Sequence, residues 1–226
     1  MMKKAIYFLG NIIIMIVSFL LYSFVQPLYF YPQKVMQKYH LDVNVYMITV
    51  VTITVLVLSL LFYLYRGQLR RKNVWKYNAS PHWDMHRLLV ACLGFILLIC
   101  VSIGIPILLG INGHTTSANQ MQLNEISQKA GVYFRPMVVI VAPLFEETIF
   151  RGMLFNTFFG NKSILNKWLG IIVSGFVFGY AHNPAFTKFL FVYWALGSIL
   201  AWVYVKTKDL RYSIMAHILY NFLGFI

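Results

Sequence analysis

Glu146 and Glu147 stand side by side in the run "APLFEETIFRG" (142–152), with Arg151 four residues beyond Glu147, inside a stretch otherwise apolar enough to sit in lipid. They are two of only six acidic side chains in the chain. An ionisable group near mid-bilayer costs at least about 2.5–3.5 kcal/mol on insertion scales, so the pair demands a partner, a water-filled cavity, or both. Glu147 and Arg151 share a helix face one turn apart, with the acid on the N-terminal side, the favourable order for an ion pair. Glu146 is rotated from Glu147 by about 100° and can face elsewhere. The spacing therefore separates a scaffold, Glu147 with Arg151, from a carboxylate free to act as a general base for water. The alternative is structural: both acids pair with Arg151 and with loop lysines near the membrane interface.

Two further polar sets follow. "FVFGYAHN" places Phe178 and His182 four apart, and "HILYN" places His217 and Asn221 four apart, each pair on one face of a helix. A lone histidine in an apolar helix is ordinarily a hydrogen-bonded core residue. Two histidines, an asparagine and a spare glutamate on three neighbouring helices instead gather away from the lipid tails and satisfy one another, which predicts a polar cavity. Gly175 with Gly179, and Gly197 with Ala201, have the small-xxx-small spacing that lets helix backbones approach closely.

The elements that must hold these residues are membrane helices. The chain has 226 residues, 60 % hydrophobic and 11 % charged, with apolar runs long enough to span the roughly 30 Å hydrocarbon layer. The fold class expected is all-α: a polytopic transmembrane bundle of about seven spans, near 5–29, 44–65, 88–111, 135–159, 168–186, 189–205 and 212–226, with the polar site inside the membrane. No separate soluble domain fits. The basic start of the first span resembles a signal peptide, but its apolar run is too long and no small-x-small site follows, so it is read as retained. The formal charge of +13 is explained by topology and not by nucleic acid, since no basic block lies on a foldable soluble domain. Arg66, Arg70, Arg71, Lys72, Lys76 and Arg87 fill one loop against Asp84. Lys3, Lys4, Lys162, Lys167, Lys206, Lys208 and Arg211 fall on the same side, which the positive-inside rule makes cytoplasmic. The N-terminus is thus expected inside and the C-terminus outside. The polar loop 112–134, expected to carry a short surface helix, divides a front region (1–134) from the region that carries the unusual residues (135–226). Cys92 and Cys100 lie eight apart, about 12 Å along a helix, too far to bridge, and are read as small core residues. Trp168, Trp194 and Trp202 suit an interfacial belt.

The three motifs, E-E-x-x-x-R in "EETIFR", F-x-x-x-H in "FGYAH" and H-x-x-x-N in "HILYN", occur in that order on three expected spans. In these, residues 135–226 resemble the CPBP family, the CaaX-protease and bacteriocin-processing intramembrane proteases also called the Abi family; the front region resembles it only in being helical and membrane-spanning. The resemblance implies an intramembrane endopeptidase of a bacterial cell membrane, acting on a membrane-associated peptide or protein: a CaaX-type, peptide-pheromone or bacteriocin-related substrate. It implies that Glu146 activates a water helped by His182, that His217 and Asn221 stabilise the oxyanion, and that Glu147 and Arg151 support the site. Glu146, His182 and His217 also make a candidate Zn2+ set, although the HExxH spacing is absent. Glutamate-activated and zinc-bound water remain alternatives, and the oligomeric state is open. Two other classes compete: a non-catalytic membrane immunity or interaction protein, and a proton-coupled transporter using Glu146 and the histidines as a relay, against which the lack of an internal repeat counts. His182 falls late in one outward-running span and His217 early in another, so a later start to the fifth span, or tilt and a break near Pro184, is needed to bring them level.

Overall fold

The computed structural model describes residues 2–112 and 115–225, with side chains from residue 5 onward. Lys3, Lys4 and Ile226, on which parts of the span and charge readings fall, therefore have side chains outside the described residues. Every regular element among the described residues is helical. In order these are α1 (Met2–Phe30), α2 (Pro32–Tyr39), α3 (Val43–Arg71), α4 (Met85–Leu108) and α5 (Ala118–Ala130). A central helical run then covers 134–158, built from α6 (Phe134–Pro136), a π-helical turn (Met137–Val141), α7 (Ala142–Glu146), a second π-helical stretch (Glu147–Met153) and α8 (Leu154–Phe158). α9 (Ile164–His182), α10 (Lys188–Thr207) and α11 (Leu210–Leu223) complete the bundle.

Local chemistry explains where the helices begin. Asp42, Asp84, Ser117, Ser163 and Asp209 each cap a helix by accepting a backbone N–H two or three residues on, satisfying donors that have no partner in the first turn. α2 and α10 end on left-handed residues, His40 at φ 51° and Lys208 at φ 55°. The expected surface helix in 112–134 is α5.

Five helices, α1, α3, α4, α9 and α10, are long and apolar enough to cross a membrane. The other two expected spans are present as helices of a different kind. The run 134–158 carries the charged residues that lower its hydropathy, and it is enclosed by protein instead of lipid: every side chain from Phe145 to Asn156 is buried. α11 has only 14 residues. The fifth expected span starts earlier than expected, at Ile164, so a later start is not what aligns the histidines. α9 ends at His182, ahead of Pro184, whereas His217 lies in the middle of α11, so the last turn of one helix is level with the middle of the other where both meet Glu146.

The close-packing glycines act as their spacing predicts. A Cβ on Gly179 would lie 2.7 Å from Trp194 N, and one on Gly197 would lie 2.9 Å from Gly175 O, so α9 and α10 touch backbone to backbone. Cys92 and Cys100 correct the sequence reading: both are exposed on the outer face of α4, not buried in a core. In lipid an outward thiol is a small apolar side chain, and burial in protein is not required of it.

The two ends of the bundle are chemically distinct. At one, the loop after α3 folds beneath the helices, where Trp75 donates to the Phe159 carbonyl and Asn78 N–H donates to the Lys208 carbonyl. Three basic connections therefore meet at a single end. At the other, Ser117 and Asn119 contact the Tyr193 hydroxyl and Lys188 donates to the Leu109 carbonyl.

Candidate active site

Glu146 is 7 % exposed and its two oxygens have separate surroundings. The Tyr22 hydroxyl of α1 donates to Oε1 at 2.7 Å. Oε2 faces the two histidines, 3.9 Å from His182 Nε2 and 3.8 Å from His217 Nε2. Residues from the central helix, α9 and α11 thus converge on one oxygen, as expected from the motifs. Tyr22, from the front region, is the residue that sequence reasoning missed. Its only signal was a tyrosine in an apolar span, which also suits an interfacial belt.

Each ring is fixed from behind. His182 Nδ1 lies 2.9 Å from the Phe178 carbonyl, and His217 Nδ1 lies 2.9 Å from Glu147 Oε1. A carbonyl and a carboxylate only accept, so both Nδ1 atoms carry the hydrogen and both Nε2 atoms turn toward Glu146. Phe178 also stacks on His182 with centroids 4.1 Å apart and meets the edge of His217 at 5.8 Å.

Behind the rings, Glu147 and Arg151 are fully buried, with Glu147 Oε1 2.9 Å from Arg151 Nη1. Arg151 Nη2 donates to the Gly197 carbonyl and its guanidinium lies 4.4 Å over the Phe178 ring. The glycine that permits close packing of α9 and α10 also supplies a carbonyl to the buried cation. Asn221, the remaining expected site residue, donates from Nδ2 to the Val138 carbonyl at 2.9 Å in the first π-helical turn. It lies on the wall of the same cavity and does not contact Glu146. Pro143 removes one backbone donor near this turn, and π-helical turns of this kind often accompany functional sites.

The cavity in front of Glu146 has a volume of about 830 Å³. Its wall includes Tyr22, His182, His217 and Asn221 within the bundle and Gln26, Tyr31, Asn119 and Gln120 at the end away from the basic loops. Zinc would make a stricter demand on these donors. Bonds of about 2.0–2.1 Å put tetrahedral donors about 3.3–3.4 Å apart, whereas Glu146 Oε2 stands 3.8 and 3.9 Å from the two histidines. Among the described residues no group of three or more His, Cys, Asp or Glu side chains is arranged to hold a metal ion. Glu146, His182 and His217 as they stand do not fit zinc.

Residues 128–223 match the family described as Type II CAAX prenyl endopeptidase Rce1-like. This part of the chain is therefore similar to that family. The chain is 36 % identical to the membrane-embedded CAAX protease MroQ of Staphylococcus aureus over 142 residues, 60 % of this chain and 55 % of MroQ. It is 26 % identical to the UPF0177 protein YvdC of Lactococcus lactis over 145 residues, 64 % of this chain and 54 % of YvdC. A second UPF0177 protein of that bacterium, YxdF, is 33 % identical over 85 residues, 38 % of this chain and 44 % of YxdF. The matched region thus spans about half the length of these relatives. No solved structure matches significantly. With its apolar helices and bacterial relatives, the chain is a multi-pass membrane protein.

Proposed function

We propose that this protein is a CPBP-type intramembrane endopeptidase that hydrolyses a peptide bond of a membrane-associated peptide or protein, with Glu146 as general base for water. The observation that carries this reading is the unequal setting of the Glu146 oxygens. Tyr22 occupies Oε1, so proton transfer falls to Oε2, opposite two imidazole Nε2 atoms and beside a cavity of about 830 Å³. A water between Oε2 and His182 Nε2 donates one hydrogen to each. Glu146 takes its proton as the oxygen attacks the scissile carbonyl, and returns that proton to the departing amine.

Negative charge then grows on the carbonyl oxygen. His217, when protonated, donates to it from Nε2, while Glu147 holds its Nδ1. Asn221 has a second amide hydrogen beyond the one given to Val138 and is assigned to the same oxygen. Such donors act strongly when they are already oriented toward the charge that develops. Glu147 and Arg151 are positioning residues: they set the angle of His217 and take no proton. The mechanism runs through these side chains, and the substrate reaches them from the end away from the basic loops.

The test is cleavage by purified protein in lipid nanodiscs, offered a library of membrane-associated peptides, with and without a chelator. Wild type is expected to cut, and Glu146→Gln and His182→Ala to lose at least about 100-fold in rate, the scale of general-base catalysis. Chelator is expected to leave cleavage unchanged; abolished cleavage that zinc restores would assign water activation to a metal. Undiminished cleavage by Glu146→Gln would falsify the assignment of the base.

A further inference from the structure

A second cavity, of about 940 Å³, lies between α3 and α11 on the far side of α11 from Glu146. Its wall is mainly apolar, with Phe62 of α3, Ile214 and Ile218 of α11 and Leu144 of the central helix below, and Leu69 of α3 at the level of the arginines. Its mouth is at the basic end, where Arg66 and Arg70 of α3 and Arg211 of α11 line it with Trp83. These arginines are not equivalent. Arg211 is spoken for, bound to Asp209 at 2.7 Å and stacked on Trp83 with 4.9 Å to the ring centre. Arg66 and Arg70, one turn apart on the same face of α3, are exposed, and no acidic side chain among the described residues lies within ion-pair distance of either. The two acids near this end are occupied, Asp84 by His82 and Arg87 and Asp209 by Arg87 and Arg211.

We propose that this groove is a binding site for an anionic phospholipid, with the phosphate held by Arg66 and Arg70 and the acyl chains laid between α3 and α11. Three features select that occupant. The wall is apolar below the arginines: Phe62 lies about 6 Å below Arg66 and about 12 Å below Arg70 along α3, with Ile214 and Ile218 across from it. The cationic pair is at the mouth and not at the base, which matches a molecule with tails below and charge above. The groove opens at the end carrying most of the chain's positive charge, and basic pockets between membrane helices on the cytoplasmic side recognise acidic headgroups. A zwitterionic lipid fits the walls but brings its own cation to the two arginines. Inorganic phosphate fits the arginines and leaves the walls empty. The site is independent of the protease assignment. Because Ile214 and Ile218 stand on the helix that carries His217 and Asn221, the lipid packs against the back of α11.

Full-length protein, delipidated in neutral detergent, would be titrated with dioleoyl phosphatidylglycerol, dioleoyl phosphatidylcholine or inorganic phosphate, reading retained lipid by native mass spectrometry and the thermal midpoint. Phosphatidylglycerol is expected to stay bound and raise the midpoint by several degrees, with phosphatidylcholine and phosphate doing neither. The Arg66→Gln/Arg70→Gln double variant is expected to lose retention at least tenfold, while Lys34→Gln/Lys38→Gln, at the opposite end, keeps it. Should the arginine variant fold poorly, Leu219→Trp, which fills the groove and leaves the arginines in place, is expected to lose the lipid as well. Equal retention by the arginine variant, equal binding of phosphatidylcholine, or a shift reproduced by phosphate alone would each overturn the proposal.

Discussion

The Tyr22 hydroxyl does for Glu146 what Glu147 does for His217: it occupies one polar atom so that the other is left aimed at the cavity. A hydrogen bond to a charged group contributes roughly 1.5–3 kcal/mol. Tyr22→Phe is therefore expected to lower kcat/KM about ten- to a hundredfold with little change in KM, measured on the peptide found in the cleavage screen. Arg151 has a different kind of importance. It is fully buried against a fully buried Glu147, and removing one partner of such a pair strands the other, at a cost of about 3–5 kcal/mol. Arg151→Met should show a strongly lowered thermal midpoint and loss of the folded protein, a stability defect beyond the loss of turnover. At this scale the motif residues were legible because charge and amide groups are rare in apolar helices and must find one another. Tyr22 was not, since a tyrosine is at home in a membrane helix whether or not it has a partner. Asn221 was legible as a member of the cluster, but its bond to the Val138 carbonyl depends on a π-helical turn that no spacing rule announces.

Between helices, the contact of α9 with α10 decides where His182 sits. A Cβ at position 175 would lie 2.7 Å from Ser198 N and 2.8 Å from Trp194 O, both backbone atoms that cannot swing aside. Gly175→Ala is expected to destabilise by about 1–3 kcal/mol, the usual cost of overpacking, seen as a lower midpoint in thermal unfolding. The same change should reduce turnover, because Arg151 reaches the Gly197 carbonyl through this contact. The small-xxx-small spacing made the approach readable in advance. The order of the helices was readable too, from hydropathy and loop charge. Two of the seven expected spans, however, depart from the simple picture: residues 145–156 are enclosed by protein and need no uniform apolarity, and α11, with 14 residues, is shorter than a lipid-spanning helix. The depth of the histidines could not be read from span limits alone, since these do not report where each helix enters the bundle.

Taken as one body, the molecule has a basic end, tied together by the loop after α3, and an end where the cavity in front of Glu146 meets α5. If charge sets orientation as usual, the first lies in the cytoplasm and the cavity opens away from it. In a background with Cys92 and Cys100 replaced by serine, single cysteines at Lys76→Cys and Ser127→Cys separate the two sides. A membrane-impermeant maleimide applied to intact cells is expected to label position 127 and not 76, and the reverse pattern would turn the cavity toward the cytoplasm.

The bond between Tyr22 and Glu146 also has a temporal side. The two residues are 124 positions apart, so at a synthesis rate of about 5–20 residues per second the tyrosine waits roughly 6–25 s for its carboxylate to leave the ribosome. His182 and His217 follow later still. On the mechanism proposed above, a nascent chain therefore holds no assembled base until nearly all of it has been translated and inserted, and a growing copy in the crowded vicinity of the translocon would have no means of cutting its neighbours.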